Sequence, residues 1–245
     1  MATLVLTDVT TLVAGHNFTT DSNEVSLSVE VDDQENTTFG GNGYRSRVGG
    51  LKSVEAEING YWQSAETGAV DADVFANLGS RDEVVTVSPT GAAGSTAYLF
   101  QAGRFTYEIL GDIGDVAPFT LSMMSTNRVG LVRGKVAVPA GVVSTTGPIG
   151  TGVTGLTPTN DVPAGRYLYA AVHVLAAGAS LTLAVEGDSA PGFPAPSTVA
   201  TLPPVTSPGG LWMTRLAGPV AHTYYRLTAT AISGAFTVAG AIGVA

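Results

Sequence analysis

Glu24-Val25-Ser26-Leu27-Ser28-Val29-Glu30-Val31 is the stretch from which the fold is read: its four apolar residues alternate strictly with four polar ones. A period of two places the apolar set on one face of a β-strand and the polar set on the other, so the segment predicts a strand with one buried and one wet face. The pattern returns at Ser53 to Tyr61, where Val54, Ala56 and Ile58 alternate with Glu55, Glu57 and Asn59 ahead of Trp62. The polar face of this second strand carries two carboxylates, Glu55 and Glu57. Between the two strands, Asp32 to Gly50 is too long for a tight turn and reads as a long loop, the kind of segment that usually has a task.

Working outward, one helix is expected at Asp71 to Leu78. Asp71 and Asp73 suit its first turn, Val74, Phe75 and Leu78 form an apolar stripe, and Gly79 can end it. Further strands are expected at Glu83 to Ser88, Thr96 to Gln101, Arg104 to Leu110, Phe119 to Ser125 and Leu131 to Val138, with turns around Gly111 to Asp115. From Pro139 to Asn160 the chain turns to Gly, Thr, Pro and Val without periodicity, which predicts a linker or extended arm. A second set of strands follows at Tyr167 to Leu175, Leu181 to Glu186, Leu211 to Leu216, Thr223 to Ile232 and Phe236 to Val244, between Pro-rich connections. The fold class is therefore all-β: a sandwich or barrel over residues 1–138, a linker over 139–160, and a smaller sandwich over 161–245.

Composition narrows the function. Of 245 residues, 44% are hydrophobic and only 13% charged, so a lone monomer has little charge to keep it in solution, and neighbours are expected to cover much of its surface. The formal charge of −9 is carried by residues 1–138, which hold 8 Lys and Arg against 17 Asp and Glu; the remainder is neutral. An acidic surface repels phosphate and argues against ordinary nucleic-acid binding. Cysteine is absent, so packing and ladder hydrogen bonds must hold the fold. Met1 to Gly15 lacks a basic leader and carries Asp8 within its apolar pattern, so no secretory signal is expected. The uncharged Ala229 to Ala245 is interrupted by Ser and Gly and reads as buried strands rather than a membrane span.

No reactive constellation emerges, and an enzyme is not expected. His16, His173 and His222 are the only histidines, and no nucleophile elbow, HExxH or P-loop occurs. His173, inside an apolar strand, reads as a hydrogen-bonded core or interface residue. Asp32, Asp33 and Glu35 offer clustered oxygens to Ca²⁺ but lack EF-hand spacing. Glu55 and Glu57 share a strand face and have the residue types of a glycosidase pair, but they read as a solvated or lumen-facing strand surface. Gly40, Gly41 and Gly43 read as turn residues, since neither a Gly-Lys-Ser/Thr sequence nor a helix follows. No metal or cofactor is expected.

The block from Glu24 to Trp62 carries a resemblance. Its order is SLSVEVDDQEN, then Thr37-Thr38-Phe39-Gly40, then Arg45 and Arg47, then Gly50-Leu51-Lys52 opening a strand that ends NGYW. Together with the short helix after Asp73, the Asp115-to-Pro118 turn and the strand VGLVRGKV, this resembles the major tail (tail tube) proteins of long-tailed phages, especially those of actinobacterial hosts. The likeness covers about the first 140 residues.

That resemblance implies a sandwich or barrel whose sheets line a ring, normally a hexamer, with rings stacked into a DNA-conducting tube. It implies that Asp32, Asp33, Glu35, Phe39, Tyr44, Arg45 and Arg47 form a ring-stacking loop, with Arg45 and Arg47 meeting carboxylates of an adjacent subunit. An acidic lumen avoids trapping DNA, and Glu30, Glu55 and Glu57 are candidates to face it. The implied partners are further copies of the chain and other tail proteins (terminator, tape measure, distal tail), in a virion tail assembled in the host cytoplasm. The C-terminal unit goes beyond the minimal pattern: as decoration of the tube, or as a glycan-binding module using Tyr167, Tyr169, Trp212, Tyr224 and Tyr225, unless these are core aromatics. A capsid decoration protein and a carbohydrate-binding module are the rival readings.

Overall fold

In the computed structural model, which describes residues 5–38, 44–64 and 69–245, the chain enters through a short hairpin of β1 (Thr10–Val13) and β2 (His16–Asn17). A 3-10 turn (Phe18–Thr20) leads into β3 (Ser22–Glu35), which pairs antiparallel with β4 (Arg47–Tyr61). Val25 lies opposite Ile58, Leu27 opposite Ala56 and Val29 opposite Val54, so the two alternating patterns combine into one apolar face. The expected loop at Asp32 to Gly50 is corrected: past a bulge, Asp33, Gln34 and Glu35 pair with Gly49, Val48 and Arg47. The hairpin thus continues as an arm whose described residues from Glu30 to Lys52 are all exposed. With both faces wet there is no inside and outside for the sequence to alternate between, and the strand pattern fades although the ladder does not.

After the arm come α1 (Val70–Ala76), β5 (Glu83–Ser88), β6 (Thr96–Ile109) and β7 (Pro118–Ser125). The helix buries Val70 and Val74, one turn apart, while Phe75 and Leu78 of the expected stripe are exposed. β6 is one strand where two were expected. Gly103 lies inside it as a site of close approach, where a Cβ would meet the Ser80 carbonyl oxygen at 2.7 Å. β8 (Val132–Val143), β9 (Gly147–Val153), β10 (Tyr167–Ala176), β11 (Ser180–Asp188) and β12 (Ser197–Thr201) follow, then β13 (Gly209–Trp212), β14 (Leu216–Ala217), β15 (Tyr224–Ser233) and β16 (Phe236–Val244). No helix among the described residues is long and apolar enough to cross a membrane.

One sheet runs β13-β10-β16-β8-β6-β5-β1-β2, with β14 beside β10, and branches from β6 through β7 and β4 to β3. A second sheet has the order β12-β11-β15-β9. Under the β3-β4-β7 branch, Ile58, Leu121 and Met123 pack on Val70, Val74 and Phe100. Between the two sheets, Val172, Val174, Leu183 and Leu227 form the largest core. A third core joins the two halves of the chain: Tyr169, Ala171 and Ala241 meet Val84, Leu99, Val132 and Val136. Each fully buried Val or Leu here contributes roughly 1.5–3 kcal/mol.

The boundary expected at residue 138 thus falls inside β8, which pairs with β16 from Arg133 to Val143. The expected linker at 139–160 contains the end of β8 and all of β9. Its residues are fixed by backbone ladders and close approach rather than by apolar alternation. At Gly150, for example, φ is +68° and a Cβ would meet the Ala137 carbonyl oxygen at 2.2 Å.

Candidate functional site

The branch sheet presents a polar face opposite its core. Directly paired residues share a face, and the rows read Glu30–Ser53, Ser28–Glu55–Met124, Ser26–Glu57–Ser122–Thr106 and Glu24–Asn59–Thr120–Glu108. The structure therefore brings Glu30, Glu55 and Glu57 together and adds Glu24 and Glu108. The cations of these strands lie elsewhere: Lys52 is opposite Val31 on the other face, Arg47 is on the arm, and Arg104 is buried. Asn59 Nδ2 donates to Glu57 Oε1 at 2.9 Å, and Thr120 Oγ1 donates to Asn59 Oδ1 at 2.6 Å, which orients the centre of this face. Both lateral edges of the branch are open. Among the described residues β3 pairs with β4 alone, and Phe105 to Ile109 of β6 have β7 on one side and no strand on the other.

On the arm, Arg45 lies 3.6 Å from Glu35 and Arg47 is hydrogen-bonded to Asp33. Within the subunit these arginines pair along their own hairpin, in contrast to the cross-subunit pairing implied for them, and such exposed pairs stabilise little. Asp32 occupies the bulge and Tyr44 is exposed, while Phe39 lies outside the described residues. No group of three or more His, Asp or Glu placed to share a metal ion occurs among the described residues.

Exposed large apolar residues are concentrated in the same half. All of them except Val142 precede Ser125, including Val29, Val31, Val48 and Leu51 on the arm. At the other end of the branch, the turn between β6 and β7 exposes Leu110, Ile113 and Val116. Leu110 is held at φ +74°, a region costing a non-glycine residue about 1–3 kcal/mol, and its N–H bonds the Pro118 carbonyl.

Two buried groups escaped the sequence reading or were read only in outline. Arg104, fully buried, donates from Nε to Glu83 at 2.6 Å and from Nη1 to Asp73 Oδ2 at 2.6 Å, leaving Nη2 without a partner. The signal for it was a charged residue in the inward phase of an apolar strand. His173, also fully buried, joins the halves of the chain. Ala14 O can only accept, so Nδ1 donates to it at 2.9 Å, and Nε2 accepts from Thr86 Oγ1 at 2.8 Å.

Desolvation lowers the His173 pKa to about 4. The unfolded chain, titrating near 6.5, then binds the proton more readily, so stability is complete above pH 6.5 and declines as pH falls toward 4. The expected loss approaches about 3 kcal/mol. Urea midpoints of wild type and His173→Gln between pH 7 and 4 should converge as pH falls; parallel curves would contradict this.

His222 Nε2 meets Ser197 Oγ at 2.9 Å, but its Nδ1 is buried without a partner, so no carboxylate among the described residues hydrogen-bonds the ring as in a nucleophile-activating base. Four of the five aromatic residues considered for a glycan are buried or packed against other side chains. Tyr169 and Tyr225 are buried, Trp212 packs on Tyr169 with ring centroids 5.6 Å apart, and the Arg215 guanidinium covers Tyr167 at 4.5 Å.

No protein-family profile matches the sequence. No curated protein matches it either. Among solved structures, the chain is similar to a protein in the virion of a native gene transfer agent particle, at 15% identity over 51% of this chain and 95% of the other, with a TM-score of 0.39. It is similar to a protein in the tail of an empty gene transfer agent particle of C6 symmetry, at 16% identity over 47% and 84% of the two chains, TM-score 0.37. It is similar to the SPP1 Dit protein, described as a hub adsorption apparatus in phages infecting Gram-positive hosts, at 13% identity over 97% and 99%, TM-score 0.37.

Proposed function

We propose that this chain is a non-enzymatic structural subunit of a phage tail, which closes into rings, hexameric as the sequence resemblance implies, that stack as a DNA-conducting tube. One observation carries the reading: a four-stranded sheet with both lateral edges open and five carboxylates, without a cation, on one face. A long unpaired edge is a template for strand addition. Setting β3 of one copy beside the outer half of β6 of the next continues the sheet, and repetition around an axis closes it. With the carboxylates turned inward, such a ring presents negative charge to passing DNA and withholds the cations that would bind its phosphates. The sequence resemblance over Glu24 to Trp62 points the same way. The arm is then the ring-to-ring element, other tail proteins are the further partners, and the subunit assembles in the host cytoplasm into the virion tail.

Negative-stain electron microscopy of the concentrated protein tests this: hollow rings or tubes are expected, and uniform small particles at every concentration count against it. Arg45→Ala combined with Arg47→Ala should leave the thermal midpoint almost unchanged, because both pairs are exposed. The same variant should lose long tubes while retaining rings, and tubes of normal length would remove the arm from the stacking role.

A further inference from the structure

The turn between β6 and β7 and the apolar groove on the core side of β3 are separate surfaces of the branch sheet. Ile109 ends β6 at the turn, and Tyr98, near the start of β6, lines the groove. Eleven residues of strand separate Ile109 from Tyr98, roughly 36 Å, whereas Val25, on the groove's other wall, lies in the same row as Tyr107. The groove has a volume of about 360 Å³, and its walls include Leu6, Val25, Leu27, Val29, Tyr98 and Leu131. The turn is a knob of matching chemistry: Leu110, Ile113 and Val116 project into solvent, Ile113 completely, from a backbone held in a left-handed conformation at Leu110.

The charges around the two features are complementary. Glu108, Asp112 and Asp115 flank the knob, and no cation lies between Tyr107 and Thr126. Beside the groove, Arg133 lies directly opposite Tyr98, Arg128 precedes Leu131 by three residues, and Lys52 lies opposite Val31. None of these three cations has an ion-pair partner among the described residues. Asp8, near Leu6, and Glu24, beside Val25, are carboxylates bordering one end of the groove.

We infer that the knob of one copy seats in the groove of the next copy, so that the chain associates head to tail, with Leu110, Ile113 and Val116 filling the groove and the flanking carboxylates meeting Arg128, Arg133 and Lys52. Because the knob and the groove are different surfaces, their contact is heterologous and propagates instead of closing a two-fold dimer. The inference rests on the self-assembly reading above and names the surface that receives the neighbouring subunit.

The absence of cysteine makes the test clean. Protein carrying Ile113→Cys is mixed, under mild oxidation, with protein carrying Val29→Cys or, as a control, with protein carrying Val142→Cys; all three positions are exposed, so each variant should fold. The mixed disulfide is expected to form at least ten times faster with Val29→Cys than with Val142→Cys, and to slow when the Val29→Cys protein also carries Arg128→Glu and Arg133→Glu. Equal rates for the two partners, or no mixed disulfide, would overturn the inference. Micrographs of the unmodified protein separate the two readings. Rings or tubes with equal cross-linking rates reject the knob-and-groove contact and leave the tube, whereas selective cross-linking without rings keeps the contact and rejects ring closure.

Discussion

Truncation after Val143 should abolish the folded state of what remains. The cut removes β16, which pairs along β8 from Arg133 to Val143, and β10, whose Tyr169 and Ala171 complete the core shared by the two halves. Val84, Leu99, Val132 and Val136 then lose their cover. At roughly 1.5–3 kcal/mol each, that loss is comparable to the 5–15 kcal/mol that stabilises a typical domain. The bare edge of β8 also becomes a site for misassembly. Soluble yield and amide dispersion in an NMR spectrum of residues 1–143 are the measurements; a soluble fragment with well-dispersed peaks and cooperative unfolding would refute the prediction. It reverses what the sequence suggests, namely that an appended C-terminal domain can be removed without harm to the first.

Arg104→Met is the point substitution expected to be most damaging. Methionine fills similar space but leaves Asp73 and Glu83, with side chains only 25% and 10% exposed, facing each other without the guanidinium between them. Removing one member of such a buried set typically costs about 3–5 kcal/mol. Replacing all three charges, by Arg104→Met with Asp73→Asn and Glu83→Gln, should recover most of the loss. Urea denaturation provides the comparison, and a single variant within about 1 kcal/mol of wild type would show that the cluster is not a stabilising unit.

What the sequence disclosed, and what it hid, follows from where each segment meets water. β3 and β4 were legible from Glu24 to Val31 and from Ser53 to Tyr61 because there one face is buried and the other solvated. The same periodicity groups Glu30, Glu55 and Glu57, and pairing register then adds Glu24 and Glu108. β9 and β12 left no such trace: β9 is built largely of Gly, Pro and Thr, and the Pro-rich flank of the short β12 suggests a connection. The Arg104 cluster joins residues 21 and 31 positions apart, which no local window displays. The division of the chain was misread for a related reason: composition changes at Pro139, whereas the hydrogen bonding of β8 does not.

The pairing of β8 with β16 also bears on the order of events during synthesis. Val143 finds its partner in Phe236, and Arg133 in Val244, contacts that span about a hundred residues of chain. Contacts of such sequence separation form late and slowly. A nascent chain whose first half has left the ribosome therefore waits with an incomplete sheet until β16 emerges. The open edges and exposed apolar side chains that serve association between finished subunits are present in that half from the start. Until β16 joins, that half therefore carries its association surfaces, and the bare edge of β8 besides, without its final shape, which exposes neighbouring chains on one polysome to premature pairing.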